Sequence, residues 1–294
     1  MLKTGFIGLG VMGLHMALNL NKYEGSETIA YDIREDRRRM YEEAGGTAVT
    51  DIEEIYRGCD VIFQMLPTHE TIINSVKEAM RLGKKGAVIV DMSSAAPDLI
   101  ISLEEQVRNA GMHLLDSPVS GGNPMAIAGT LSIMTGGERE VFDRIRPLLG
   151  TMGSATYTGP SGSGDAVKII NNMIGGAMLA VISEAYALAE KSGLNLDTVF
   201  EATRGGFAGG PLYENKVPKI INRDFKPGAR IAVHYKDILN AVHYAEKAGA
   251  DITVTMAVKK IMGWMMENGY ADEDQAAMIR YYEQRNDYSF LKER

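Results

Sequence analysis

The sequence predicts an α/β N-terminal half built on a mostly parallel sheet, followed by an all-α C-terminal half. Three observations predict it. From the start to about residue 150, short β-prone apolar runs alternate with amphipathic helical patterns, which is the signature of βαβ units. A Gly/Pro/Ser cluster from Gly159 to Gly164 then interrupts the pattern. Beyond it the periodicity is helical, without strand alternation. A chain of 294 residues has the length of two domains, which the interruption places at residues 1–162 and 163–294.

Taken in order, strands are expected at residues 3–8, 28–32, 61–66, 87–91 and 112–116, with helical patterns between them. Residues 130–135 and 156–158 read as further strands at a sheet edge, around a helix beginning near Glu138. Residues 165–191 contain no proline and read as one helix, apolar on nearly every face. Such a helix is expected to be buried all round, as the core of a helical domain, as part of a subunit interface, or as both. Helical patterns follow at 196–203, 211–222, 230–248, 252–268 and 274–285.

Composition excludes several classes. Hydrophobic residues make up 45% and charged residues 23%, near the globular average, which argues against disorder and against a fibrous repeat. The 31 basic and 38 acidic side chains give a net charge of −7, and the basic ones are scattered, so no nucleic-acid surface is expected. A discrete anionic ligand fits. The single cysteine, Cys59, cannot form an internal disulfide or build a cysteine-based zinc site, and no metal site is expected. That suits a reducing compartment, with the cytoplasm as the default. Lys3 and the apolar stretch to Leu20 superficially resemble a signal peptide, but the glycine spacing argues otherwise. Asn171 and Asn172 interrupt the most apolar stretch, so no membrane-spanning helix is expected. The methionines recur at helical spacing, as in Met262, Met265 and Met266, where flexible core filling explains them.

Gly8-Leu9-Gly10-Val11-Met12-Gly13 is a G-x-G-x-x-G run that follows an expected strand and opens an expected helix, the context of a dinucleotide-binding Rossmann turn. Gly8 permits the tight turn, Gly10 lets the backbone approach a pyrophosphate, and Gly13 allows close helix–strand packing. The helix N-terminus supplies N–H groups and a positive dipole end. Asp32 ends the second strand, where an acid hydrogen-bonds the adenosine ribose and favours NAD. Arg34, with Arg37, Arg38 and Arg39 beyond it, leaves NADP open. The carboxyl ends of later strands, Met65-Leu66-Pro67 and Asp91-Met92-Ser93-Ser94, are expected to border the cofactor. Met65, Leu66 and Pro67 read equally as loop packing, and Ser94 equally as a helix N-cap.

Between Ala166 and Ser183 the only ionisable side chain is Lys168, one turn into the apolar helix, and Asn171 and Asn172 share its face. Burial lowers a lysine pKa, which suits proton exchange with an alcohol or carbonyl oxygen while a nicotinamide moves hydride. The alternative is a lysine snorkelling to solvent at the helix start. Lys236, followed by Asp237, lies off the apolar stripe of its helix, so a solvated face competes with a role in a site. His234 and Arg230 flank it, and the arginine would suit a carboxylate. Asp116-Ser117-Pro118-Val119-Ser120-Gly121-Gly122 closes a strand with paired glycines whose N–H groups can cradle a carboxylate, or serve as a structural loop.

Together the motifs Gly5 to Gly13, Asp116 to Gly122, Gly162 to Asn172 and His234-Tyr-Lys-Asp237 resemble the β-hydroxyacid dehydrogenase family, in order and over essentially the whole chain. The resemblance implies Lys168 as catalytic acid/base, Ser120, Gly121, Gly122 and Asn172 as substrate contacts, and Lys236 near nicotinamide and substrate. It also implies a homodimer or homotetramer with contacts between helical domains. Within the family, Arg204 to Gly209, Asp224 to Ile231 and Tyr281-Tyr-Glu283 look most like the tartronate semialdehyde (2-hydroxy-3-oxopropionate) reductases. Asn123 and Ala229 depart from that branch, and Gly164 to Lys168 also resembles the 2-(hydroxymethyl)glutarate enzymes.

The expected activity is thus interconversion of a small 3-hydroxyacid and its semialdehyde with NAD, in a site between the two domains. Tartronate semialdehyde, 3-hydroxyisobutyrate and 2-(hydroxymethyl)glutarate chemistry all stay open. A decarboxylating enzyme like 6-phosphogluconate dehydrogenase would need a longer helical domain and a phosphate-binding cluster. A non-catalytic nicotinamide sensor would have no reason to place a lone lysine in the apolar helix.

Overall fold

A computed structural model describes residues 1–286, and the chain divides into two compact units, Met1–Lys168 and Ile169–Arg294. In chain order the first unit contains β1 (Leu2–Ile7), α1 (Gly13–Leu20), β2 (Ser26–Tyr31), α2 (Glu35–Glu43), β3 (Thr47–Ala48), α3 (Glu53–Gly58), β4 (Val61–Gln64) and α4 (His69–Leu82). It continues with β5 (Val88–Asp91), α5 (Pro97–Asn109), β6 (His113–Asp116), β7 (Val119–Ser120), α6 (Gly122–Ala128), β8 (Leu131–Gly136), α7 (Arg139–Leu149) and β9 (Gly153–Gly159).

Six strands lie side by side in the order β3-β2-β1-β4-β5-β6, all parallel. β8 then runs antiparallel to β6 and β7, and β9 joins the far side of β8 in parallel, so the sheet is mixed. Alternate residues feed two cores, as a covered parallel sheet requires. Phe6, Phe63, Val90 and Leu115 pack on one face with Met16 and Leu20 of α1 and Ile145 of α7. Ile7, Ile62, Ile89 and Leu114 pack on the other with Ile55, Val76 and Leu103. Cys59 belongs to that second core, and burial pushes its thiol up to about 12.

Strand order reverses at β1, which has β2 on one side and β4 on the other. Ligands bind beyond the carboxyl ends of strands at such a switch point. The glycine turn after β1 and Met65 after β4 both lie there. Thr68 closes the loop after β4 with a capping box, its hydroxyl accepting from the Thr71 N–H and Thr71 answering to the Thr68 N–H.

α8 (Ser163–Lys191) starts in the first unit and runs on into the second. There follow α9 (Leu196–Thr203), α10 (Pro211–Ile221), α11 (Ile231–Ala248), α12 (Thr253–Glu267), a 3₁₀ turn (Gln275–Met278) and α13 (Ile279–Arg285). Tyr186, Phe200, Tyr213, Val217, Ile231, Met265 and Ile279 form their core. A buried pair, Lys216 Nζ to Asp274 Oδ1 at 2.8 Å, ties α10 to the 3₁₀ turn, where Asp274 also accepts the Ala276 N–H. These contacts hold the Asp274 carboxyl below the usual range although burial opposes them.

Within one chain the helical core buries only part of α8: Ile170, Ile174, Met178, Val181 and Leu188 are exposed, Val181 at 64% and Leu188 at 68%. At 3.6 residues per turn these five fall within about 80° of one another, a single apolar stripe. By length and composition α8 is also apolar enough to cross a membrane, which the interruption at Asn171 and Asn172 did not suggest. Ile182, Tyr186, Ala187 and Ala189 bury its opposite side in the helical core.

Candidate active site

Each glycine of the turn after β1 has a separate steric reason. Gly8 has φ +97°, and a Cβ there would lie 2.4 Å from the Met65 carbonyl oxygen. On Gly13 it would lie 1.9 Å from the Gly8 carbonyl oxygen. On Gly10 it would meet nothing within 4 Å, so the space in front of Gly10 is open, as approach to a pyrophosphate requires. The Leu9 N–H donates to Asp32 Oδ2 at 2.7 Å and the Arg34 N–H to Asp32 Oδ1 at 2.9 Å, which fixes the carboxylate beside the turn. The basic run beyond it is engaged locally. Arg34 pairs with Asp36 at 2.6 Å, Arg38 donates to the Asp32 carbonyl at 2.6 Å, and Arg39 pairs with Glu35 at 2.8 Å. This chain's residues therefore fit a dinucleotide: an open glycine, a helix start and an oriented acid.

The neighbouring strand ends are held by buried polar side chains. The Leu66 N–H donates to Ser93 Oγ at 2.9 Å, and Ser93 Oγ donates to Asp91 Oδ1 at 2.7 Å. Asp91 is 1% exposed, and burial pushes its carboxyl above the usual range. Ser94 does not cap α5. Ala96 takes that position with Pro97 as first helical residue, which leaves Ser94 on the half-buried loop after β5. Asp116, at the end of β6, is fully buried and accepts N–H bonds from Gly162 at 2.9 Å and Asp165 at 3.0 Å. Burial raises its carboxyl to about 6 against the pull of those donors. Ser120 ends β7, and Gly121 and Gly122 follow in the left-handed region at φ +137° and +67°, both exposed.

Lys168 lies on α8 and is half-buried, between enclosure and a side chain free in solvent. One turn on, Asn172 Nδ2 donates to Asp237 Oδ2 at 2.9 Å, and the carbonyl of Asn172 meets His234 Nε2 at 3.0 Å. Asp237 in turn holds Lys236 Nζ at 3.2 Å. α8 and α11 are thus joined by a cluster of Asn172, His234, Asp237 and the partly exposed Lys236. Arg230 pairs with Asp272 at 3.0 Å, so its charge is already answered on the surface.

Among the expected residues, Leu9 meets Asp32, Gly8 leaves no room for a side chain against the Met65 carbonyl, and Leu66 is tied to the Ser93–Asp91 pair. Asn172 and Lys236 meet through Asp237. Sequence reasoning expected Asp91 and Ser93 only to border the cofactor, and gave Asp165 and Asp237 no role of their own. Asp237 directly follows the named Lys236, and that placement was the available signal.

Comparison with known proteins agrees with this geometry. Residues 3–160 match the family model for the NAD binding domain of 6-phosphogluconate dehydrogenase, and residues 162–282 match that for the NAD-binding domain of NADP-dependent 3-hydroxyisobutyrate dehydrogenase. The chain is 36% identical to 2-(hydroxymethyl)glutarate dehydrogenase of Eubacterium barkeri, over 96% of this chain and 95% of that one. It is 33% identical to 2-hydroxy-3-oxopropionate reductase of Escherichia coli, over 96% and 97% of the two chains. The solved structure of Mycobacterium tuberculosis 3-hydroxyisobutyrate dehydrogenase with L-serine superposes with a TM-score of 0.85 at 28% identity, covering 95% of this chain and 98% of that one. With both halves matched and relatives similar end to end, the chain belongs to the β-hydroxyacid dehydrogenase family of NAD(P)-dependent oxidoreductases.

Proposed function

We propose that this enzyme interconverts a small 3-hydroxyacid and its semialdehyde, with Lys168 as the proton-exchanging group. The observation that carries the reading is the Asn172–Asp237–Lys236 cluster one helical turn from Lys168. It ties polar and cationic side chains of α11 to the helix that also carries this half-buried lysine. When bound, the nicotinamide supplies or takes up hydride. Lys168 gives a proton to the carbonyl oxygen on reduction and takes the hydroxyl proton on oxidation. Ser120, Gly121 and Gly122 hold the substrate carboxylate through a hydroxyl and backbone N–H groups. Asn172, held by Asp237, positions the substrate or Lys168, and Lys236 adds positive charge near nicotinamide and substrate. Gly8 to Gly13, Asp32, Met65 to Pro67 and Ser94 form the cofactor contacts. Asp32, fixed by Leu9, and the local pairing of Arg34, Arg38 and Arg39 support NAD over NADP.

Tartronate semialdehyde is the first substrate to test. A 2-(hydroxymethyl)glutarate reading is favoured by Gly164-Asp-Ala-Val-Lys168 and by the 36% identity to the Eubacterium barkeri enzyme. The experiment follows NADH oxidation against a panel of semialdehydes, with NADPH in parallel. Lys168→Ala should slow turnover by about 10²- to 10⁴-fold with NADH affinity unchanged. Near wild-type turnover in that variant would remove Lys168 from its role.

The apolar stripe on α8 supports a homodimer or homotetramer in which a second copy covers it. The buried Cys59, as the single thiol, supports a reducing compartment such as the cytoplasm.

A further inference from the structure

Two buried carboxylates stand between the loop after β5 and the helix that carries Lys168. Asp116 receives the first turn of α8: Oδ1 accepts the Gly162 N–H at 2.9 Å and Oδ2 the Asp165 N–H at 3.0 Å. A strand residue thus caps the helix, answering N–H groups that no preceding carbonyl can reach. Two glycines make room for it. A Cβ on Gly136 would fall 2.6 Å from Asp116 Oδ1, and one on Gly164 2.8 Å from Oδ2. Asp165, itself 1% exposed, then turns its carboxylate to the other side, where Oδ1 accepts the Ala95 N–H at 2.9 Å. Ala95 directly follows Ser94, and Lys168 lies one turn beyond Asp165.

We infer that Asp165 is a positioning residue that sets the distance between the Ser94 loop and Lys168, with Asp116 holding the helical turn from which it reaches. This rests on the proposed roles of Lys168 and Ser94. The arrangement exceeds what capping requires, because Asp116, with the Pro160 carbonyl taking the Ser163 N–H, already satisfies the helix start. The bond from Asp165 to Ala95 satisfies a loop N–H instead, and joins two segments 70 residues apart. Backbone on both sides of a reacting centre is thereby fixed by one side chain, and displacements of about 1 Å at such centres cost about 10²-fold in rate.

Asp165→Ala removes the acceptor, whereas Asp165→Asn keeps a carbonyl oxygen able to occupy the Oδ1 position. Three measurements on the full-length variants decide. Amide exchange at residues 93–96 should quicken in Asp165→Ala and stay near wild type in Asp165→Asn. With NADH saturating, kcat should fall by about tenfold or more in Asp165→Ala while the KM for semialdehyde changes by less than about threefold, and Asp165→Asn should recover most of the rate. An amine-selective reagent should label Lys168 at an altered rate in Asp165→Ala only, with the exposed Lys260 as internal control. The inference is overturned if Asp165→Ala exchanges like wild type. It is equally overturned if exchange quickens with kcat intact, or if both variants lose rate in step with stability. Should the wild-type enzyme reduce no semialdehyde at all, the proposed function fails separately. Exchange and Lys168 labelling then decide the positioning role by themselves: a change confined to Asp165→Ala upholds it, and no change ends it.

Discussion

Asn172 Nδ2 donates to Asp237 Oδ2 at 2.9 Å, so the amide one turn after Lys168 is anchored to a buried carboxylate on α11. Losing a hydrogen bond to a buried charged group costs about 1–3 kcal/mol, because the partner left behind stays desolvated. Asn172→Ala should therefore lower unfolding free energy by that amount in urea titrations, and also raise the KM for semialdehyde. An unchanged denaturation midpoint would show that Asp237 finds another partner.

Gly10 and Gly13 separate cofactor access from folding. Gly10→Ala adds a methyl group where nothing lies within 4 Å, so its Tm should match wild type while the NADH dissociation constant, read by fluorescence, rises by about tenfold or more. Gly13→Ala drives a Cβ to 1.9 Å from a carbonyl oxygen and should destabilise the first unit by about 1–3 kcal/mol. Equal NADH affinity in Gly10→Ala would move the pyrophosphate elsewhere.

Asp116 gives a pH signature. Its carboxyl is raised to about 6 by burial, so between about pH 4 and 6 the folded chain keeps a proton that the unfolded chain has released. That contribution is complete below about pH 4 and is lost as pH rises to about 6, by roughly 3 kcal/mol at 1.36 kcal/mol per unit. Asp116→Asn does not titrate. The stability of wild type relative to Asp116→Asn should accordingly fall between pH 4.5 and 7 in paired urea titrations, and a flat difference would contradict the shift.

The stripe on α8 predicts assembly. Val181→Glu with Leu188→Glu places two charges on its most exposed apolar positions and should shift the sedimentation coefficient to that of a monomer, with helix content preserved. A wild-type coefficient in the double variant would assign the interface to another face.

The α/β half was legible because continuous apolar runs such as Val61 to Gln64 and Val88 to Asp91 are short, β-branched and bracketed by turn residues. β3 and β7 have two residues each, too few for alternation to register, and exist through their neighbours in the sheet. The glycine turn was legible since each glycine answers a local backbone constraint. Asp165 was not: its bond to Ala95 spans 70 residues, and local sequence carries no trace of such a pairing. Which side of α8 stays open was not legible for a related reason. Mean hydropathy reports that a helix avoids water, whereas the face left open depends on which side Tyr186 and Ile182 turn to the core.

Cys59 gives the chain an internal stopwatch. Its sulfur sits 1% exposed behind β1, where even a methyl group on Gly5 would come within 3.1 Å of it, and burial keeps the thiol protonated. A thiol-directed reagent can reach it only when that layer parts. Dilute reagent therefore counts how often the first unit opens at equilibrium, concentrated reagent times each opening, and no label has to be introduced to read either.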